Sequence, residues 1–171
     1  KELRWKHFQF ISKPTMRVIE IYLPQGKKGP RRLIARNELW VVLERLRALH
    51  DEFADMTLDE LIESKSEHYV FRMRNGKRPY NFVNAFGDAI RAAGMLTNGR
   101  DSDERSLYSL RHYYATERLY ENMTEEKLAT QMGTSPEMIR KHYGHIKTHM
   151  YAEELAGGAS EADGEVLKYM Y

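Results

Sequence analysis

Two short segments of the sequence contain side chains that could act together on a phosphate group. The first, YSLRHYYAT, runs from Tyr108 to Thr116, and the second, RKHYGH, runs from Arg140 to His145. An arginine guanidinium is a planar, permanently charged fork that suits phosphate oxygens. A tyrosine hydroxyl can act as a nucleophile that forms a covalent intermediate. Arg111, followed 32 residues later by Tyr143, therefore predicts a phosphate clamp and a nucleophile.

Three other positions could add to this chemistry. Tyr108 lies three residues before Arg111 on a predicted helix, so the two polar ends can converge on one ligand. Thr134 lies between two predicted helices, next to a new helix N-terminus, where backbone N–H groups favour anions. Lys27 or Lys28, at the tip of a predicted hairpin, could reach over a bound strand.

The first half of the chain is expected to contain a small antiparallel sheet. Residues 16–23, MRVIEIYL, are rich in β-branched and aromatic residues and predict a strand. Prolines and glycines between 24 and 30 predict a turn, and 32–35 predict the returning strand. The result would be a β-hairpin with the basic tip GKKGPRR.

Further elements are predicted from their start and stop signals. In the first half these are a helix capped by Asn37, a helix that begins at Thr57 with Glu60 in a capping box, a strand at 68–71 that ends at the Asn75-Gly76 turn, and a helix from its cap Asn81 to Gly94. The last of these has an apolar face made of Phe82, Ala85, Phe86, Ala89, Ile90 and Ala93.

The second half predicts helices that hold both chemical segments. After a polar loop at 97–103 come a helix at 107–121, a helix from Thr124 to Met132 that Gly133 ends, and a helix begun by Ser135-Pro136 that leads into Tyr143. Residues 156–163 have the composition of a flexible linker, followed by an apolar end at 166–171. The expected class is α+β, mainly helical, with one domain at 1–155.

Charge and composition limit the function classes. Residues 1–50 contain 12 Lys and Arg against four Asp and Glu, whereas residues 51–171 contain 15 against 21. A local basic field on a chain of net charge +2 suits one nucleic-acid face, although a solvated basic surface would look the same. There is no apolar run long enough to span a membrane and no cysteine, which excludes disulfides and thiolate metal sites.

The segments together resemble the tyrosine recombinase (phage integrase) family. Its pattern is H-x-x-R-H-x-x-A-T, then L-G-H-S, then a tyrosine nine residues after that second histidine. Residues 108–116, 132–135 and 143–145 follow this order and spacing. The hairpin resembles the family's K-x-G-x-x-R lysine context from Lys27, and Leu3-Arg4-Trp5 resembles the end of its first arginine box.

The resemblance implies the fold of the family's catalytic domain and its function, site-specific DNA recombination or integration in mobile genetic elements. Tyr143 would attack a DNA phosphate and form a 3′-phosphotyrosyl intermediate. Arg111 would neutralise charge, Lys27 would be the general acid, and His112 would contact the phosphate or orient Arg111. The residues expected to touch DNA are Lys28, Arg31, Arg32, Arg140, Lys141 and His145.

The resemblance also implies the partners and setting. These are double-stranded DNA, a homotetramer on that DNA, accessory DNA-bending or directionality factors, and a bacterial or phage-encoded cytoplasmic protein, associated with the nucleoid when acting. No metal, ATP or other cofactor is expected, because the phosphotyrosyl bond stores the energy of the cleaved bond. The apolar end at 166–171 is expected to pack on a neighbouring subunit or to fold back on its own.

The sequence departs from the family at three places. Tyr108 and Thr134 stand where the family has histidines, and their hydroxyls can still donate to a phosphate oxygen. The first catalytic arginine is expected before Leu3, on a first helix outside this sequence.

Other interpretations stay open. Tyr143 could be a packing residue, Arg111 could pair with Glu104 or Glu117, and His112 could be a core histidine. His142, His145 and His149 have a spacing that could ligate a metal, but no acidic ligand accompanies them. The short helices around Gly133 also fit a helix-turn-helix DNA-binding module without activity, or a degenerate recombinase domain.

Overall fold

The basic segment near the start of the chain folds as the predicted hairpin. In this computed structural model, which describes residues 2–26, 29–95 and 104–157 apart from the side chains of Lys147 and His149, strands β2 (Arg17–Leu23) and β3 (Arg31–Ile34) pair antiparallel, with Glu20 opposite Ile34. Gly29 has φ +91° and donates its N–H to the carbonyl of Gly26 at 3.0 Å, a conformation that favours glycine.

A third strand, β1 (Phe8–Ser12), was not predicted. It pairs antiparallel with β2, from Phe8 opposite Ile21 to Ser12 opposite Arg17, and gives the sheet order β1-β2-β3. Residues 8–12 contain only one β-branched residue, so local propensity is weak. The ladder to β2 decides their conformation.

Contacts divide the chain into two compact units, Lys1–Glu104 and Arg105–Tyr171. The described residues are about half helical and include a small three-stranded antiparallel sheet, which confirms a mixed α+β class. In the first unit the sheet packs on helices α1 (Leu39–Ala48) and α2 (Leu58–Glu63). Its buried core consists of Trp5, Phe8, Ile19, Leu43, Phe53, Leu58, Leu61, Ile62 and Val70.

The two helix starts of this unit differ from each other. The prediction that Asn37 caps α1 is wrong, because Glu38 occupies the N-cap without a side-chain cap hydrogen bond. The Asn37 carbonyl accepts the N–H of Trp40 instead, in a turn that precedes the helix. The capping box of α2 is confirmed, with the Glu60 N–H donating to Thr57 Oγ1 and the Thr57 N–H to the Glu60 carboxylate.

The strand predicted at 68–71 is also wrong. Tyr69 forms one isolated antiparallel bridge with Arg4, and the flanking backbone bonds join Trp5 to His68 and Val70 to Leu3. The segment opposite turns into a 3-10 helix at Trp5–His7, so no longer ladder can form. The turn at Asn75-Gly76 is confirmed, with Gly76 at φ +76°.

Helix α3 (Val83–Ala92) has the predicted ends but not the predicted burial. The Asn81 side chain accepts the Val83 N–H at 3.0 Å, and Gly94 at φ +67° follows the last turn. None of its residues is buried, and Phe82 lies before the helix with its ring against Phe71. Periodicity predicts an apolar face but does not say which element covers it.

The second unit is a set of helices around its own core. Helices α4 (Leu107–Tyr120), α5 (Glu125–Met132) and α6 (Pro136–Met150) are followed by a single turn, α7 (Ala152–Leu155). The buried residues are Ala115, Leu119, Leu128, Ala129, Met132, Ile139, Tyr143 and Ile146. Each fully buried aliphatic side chain among them contributes about 1.5–3 kcal/mol to stability.

The joint between α5 and α6 follows the predicted signals closely. Thr124 caps α5, and Gly133 ends it with φ +66° and ψ +43°. The N–H of Thr134 donates to Ala129 O at 3.0 Å and that of Gly133 to Thr130 O at 3.3 Å, the two bonds of a Schellman motif. Ser135 Oγ then accepts the Met138 N–H at 3.4 Å, one residue before proline at the first position of α6.

Helix α6 is longer than predicted and continues through Tyr143 and Gly144 to Met150. Gly144 weakens a helix, but the next apolar residue, Ile146, is buried, and its burial favours continuation. Within the described residues no helix is long and apolar enough to cross a membrane. The predicted loop at 97–103 and the apolar end at 166–171 lie outside the described residues.

Candidate functional site

Tyr143 lies on the inward face of α6. Ile139, Tyr143 and Ile146 repeat at helical spacing, and all three are buried, with Tyr143 only 6% exposed. The tyrosine is therefore part of the core of the second unit, as the packing interpretation expected. Its hydroxyl nevertheless has a polar partner, which gives the residue chemistry beyond packing.

That partner is His112 on α4. The phenolic oxygen of Tyr143 lies 2.9 Å from Nδ1 of His112, and the two ring centroids are 5.6 Å apart. The phenol donates when the imidazole has its proton on Nε2, and accepts when the proton is on Nδ1. The hydrogen bond that His112 makes is thus to the candidate nucleophile, not to Arg111 as the sequence suggested.

Tyr108 completes a row of three rings. It lies one helical turn before His112, with ring centroids 4.9 Å apart and an interplanar angle of 77°. Tyr108 is 61% exposed, so its hydroxyl is accessible while its ring limits the movement of the imidazole. The row runs from the surface through His112 to the buried phenol of Tyr143.

Burial is the main influence on the acidity of Tyr143. It raises the pKa of the phenol above its ordinary value near 10.0, and Tyr108 raises it further. The positive charge of Arg111 acts in the opposite direction and lowers the same pKa, though by less. The phenol is therefore protonated at neutral pH and needs an acceptor before it can attack.

Arg111 makes its hydrogen bond to the end of α5. Its Nη2 donates to the backbone carbonyl of Met132 at 3.0 Å, and the side chain is partly buried. The last carbonyls of a helix lack helical partners and carry partial negative charge, so a guanidinium stabilises this end. The sequence suggested Glu104 or Glu117 as partners and missed this carbonyl, although Gly133 marks the position where such carbonyls occur.

Adjacent residues on α4 thus reach different elements. Successive side chains on a helix point about 100° apart, so Arg111 points to the end of α5 while His112 points to α6. The three segments predicted to act together meet within the second unit. Thr134 is half-buried at this joint, but its N–H is used by the Schellman motif, and only its hydroxyl remains for a ligand.

The basic residues predicted to contact DNA are placed differently from one another. Arg140 makes two close contacts with Glu125, through Nε at 3.0 Å and Nη2 at 2.8 Å. Lys141 and His145 are exposed on α6. In the first unit Arg31 and Arg32 lie on β3, and Arg32 pairs with the buried carboxylate of Glu20.

Some predicted site residues are not described. Lys27 and Lys28 lie outside the described residues, so the position of the candidate general acid stays a prediction. Among the described residues, no group of three or more His, Asp or Glu side chains is arranged to hold a metal ion. The side chain of His149, one of the three histidines with metal-like spacing, is not among them.

Comparisons of the chain with protein-family models, with curated proteins and with solved structures find no match.

Proposed function

We propose that this chain is the catalytic part of a tyrosine-type site-specific DNA recombinase, with the fold of that family's catalytic domain. The observation that supports this most directly is the 2.9 Å contact between the Tyr143 hydroxyl and His112, the residue next to Arg111. A phenol beside a proton acceptor, with a guanidinium near enough to lower its pKa, is the arrangement that an attacking tyrosine needs.

The chemical step is an in-line displacement at a DNA phosphate. The Tyr143 phenol gives its proton to His112 Nδ1 as its oxygen bonds to phosphorus, and the bond from phosphorus to the 5′ oxygen breaks. The products are a 3′-phosphotyrosyl link and a 5′-hydroxyl, whose proton comes from Lys27. Attack by the 5′-hydroxyl of a partner strand reverses the step, so neither ATP nor a metal ion is required.

Arg111 stabilises the charge that develops on the phosphate. Its guanidinium has five N–H donors in a planar fork, and the contact with Met132 O uses one of them. The remaining donors bind phosphate oxygens while this carbonyl fixes the direction of the fork. The hydroxyls of Tyr108 and Thr134 add uncharged hydrogen bonds where the family has histidines.

DNA binding on this proposal uses basic residues from both units. Lys28, Arg31 and Arg32 contact the backbone from the hairpin, and Arg140, Lys141 and His145 contact it from α6. A homotetramer on two duplexes, with accessory DNA-bending or directionality factors, is the assembly that the proposed family implies. Affinity would fall steeply with salt, because phosphate contacts release counterions.

A DNA-binding module without activity is the second candidate. The observation that favours it is the α5–α6 pair, two helices joined by the short segment Gly133–Ser135. In such a module the second helix enters the major groove, where Lys141 and His145 are exposed. A degenerate recombinase domain would behave in the same way, binding DNA without forming a covalent bond.

One experiment separates these candidates. The longer protein, with its upstream segment, is incubated with nicked DNA substrates that trap the cleaved state and is then denatured in SDS. The recombinase proposal predicts a protein–DNA adduct that disappears in Tyr143→Phe and persists in Tyr113→Phe, whose ring is exposed on the same unit. DNA binding without any adduct across candidate sites would favour the module.

A further inference from the structure

The first unit contains a cavity that the proposed recombination chemistry does not use. It has a volume of about 240 Å³ and lies where β2 and the end of β3 face the start of α1. Its lining consists of Arg17, Ile19, Ala35, Arg36, Asn37 and Trp40. Two guanidiniums, one amide and one indole on an aliphatic floor form a mixed polar and aromatic site, and none of these described lining residues is acidic.

The aromatic side of the cavity is held firmly. The ring of Trp40 packs on Phe10 with centroids 5.2 Å apart, and Arg17 lies over the Phe10 ring at 3.7 Å. Arg17 also pairs with Asp59 at 2.5 Å, which fixes the position of its guanidinium. A half-buried indole held in this way can stack against the planar face of a ligand, and stacking of this kind accepts any nucleobase.

The cationic side is next to Trp40. Arg36 and Asn37 come immediately before α1, and both line the cavity. Arg36 pairs with Glu38 at 3.2 Å, but this pair is exposed, and exposed pairs of opposite charge are weakly held. An incoming phosphate can therefore take over the guanidinium fork, with the Asn37 amide as a further donor.

We infer that this cavity binds a single nucleotide, with its base against Trp40 and its phosphate on Arg36 and Asn37. The volume is below the roughly 300–1,000 Å³ of pockets for drug-sized ligands, so one nucleotide is the largest unit that fits. The surplus of basic residues in 1–50 favours an anionic ligand. The nucleotide is either free in solution or an unpaired nucleotide of a DNA strand.

Tryptophan fluorescence tests this directly on the full chain. The protein has two tryptophans, Trp5, which is 1% exposed, and Trp40 in the cavity. Titration with deoxyadenosine monophosphate is expected to change the emission saturably, and Trp40→Phe is expected to abolish the change. Arg36→Gln is expected to weaken the apparent affinity about 10-fold or more, the effect of losing one charge-assisted hydrogen bond.

Two matched variants act as controls. Arg45→Gln removes the same charge from an exposed site of α1 that does not line the cavity, and less than about a 2-fold change is expected for a screened surface charge. Glu38→Gln removes the partner of Arg36 and is expected to keep or increase the affinity. Circular dichroism checks that each variant is folded.

Three results would overturn the inference. They are a linear, unsaturable change up to millimolar nucleotide, equal weakening by Arg45→Gln and Arg36→Gln, and inorganic phosphate binding as tightly as the nucleotide with Trp40 unaffected. A short single-stranded oligonucleotide that binds more tightly than the mononucleotide identifies a DNA strand as the source, and equal or weaker binding identifies the free nucleotide. None of these measurements depends on Tyr143, so the proposed recombination can fail or succeed separately.

Discussion

The hydroxyl of Tyr143 and Nδ1 of His112 lie 2.9 Å apart across the contact between α6 and α4. The phenol is buried and the imidazole is exposed, so the pair connects the core of the second unit to solvent. Arg111, the neighbour of His112, lowers the pKa of the same phenol while it holds the end of α5. Acidity and position of the candidate nucleophile are therefore linked through two adjacent residues of one helix.

His112→Ala is expected to slow adduct formation by about 10² or more, because it removes the acceptor of the phenol proton. The measurement is the rate at which nicked DNA is converted to an SDS-resistant adduct at saturating protein. His142→Ala removes a second, exposed imidazole beside Tyr143 and is expected to retain the rate. A normal rate in His112→Ala would show that another group accepts the proton.

Arg111→Lys keeps the positive charge but loses the planar fork. We expect a loss of adduct together with a decrease of about 1–2 kcal/mol in the free energy of unfolding, since the Met132 carbonyl loses a charged donor. Urea unfolding and the adduct assay measure the two effects separately. Unchanged stability in Arg111→Lys would mean that the contact with Met132 does not support the α5 end.

Tyr143 is expected to reduce stability in alkali. Burial raises its pKa above the ordinary value near 10.0, so the unfolded chain releases the phenol proton first as the pH increases. The contribution of this group to stability is complete below pH 10 and is lost as the pH rises from there through the raised pKa of the folded state. Urea unfolding at several pH values from 9 upward measures the slope, which is expected to be shallower in Tyr143→Phe, with Tyr113→Phe as the control for loss of a surface phenol.

The two glycines on either side of Tyr143 and Thr134 should respond to alanine in opposite directions. Gly133→Ala places a Cβ at φ +66° and is expected to destabilise the chain by about 1–2 kcal/mol. Gly144 lies within α6, where the nearest atom to an added Cβ is Arg140 Cγ at 4.0 Å, so Gly144→Ala is expected to stabilise by about 0.5–1 kcal/mol. Thermal unfolding of both variants decides the comparison, and destabilisation by Gly144→Ala would contradict the helical position of Gly144.

Elements with strong local signals could be predicted from the sequence. The capping box at Thr57, the αL glycine at 133 and the serine–proline start of α6 each satisfy backbone groups within a few residues. Their stability does not depend on a distant partner, so the local pattern is sufficient. The hairpin of β2 and β3 belongs to the same class, because its turn brings the strands together.

Elements that depend on distant partners could not be predicted. Residues 8–12 form a strand only because β2 has an edge that pairs with them, while 68–71 remain outside any sheet because the chain opposite turns away after Arg4. The pattern of α3 predicts an apolar face, yet none of its residues is buried. In each case the tertiary partner, not the local propensity, determines the outcome.

By itself, the sequence determined the α+β class, most helix ends and the set of side chains that could act on a phosphate, because residue types and spacing are local properties. Only the tertiary structure decided that His112 contacts Tyr143 and that Arg111 contacts the Met132 carbonyl. The physical reason is that neighbouring side chains on α4 diverge by about 100°. Their partners therefore depend on how α5 and α6 pack around that helix.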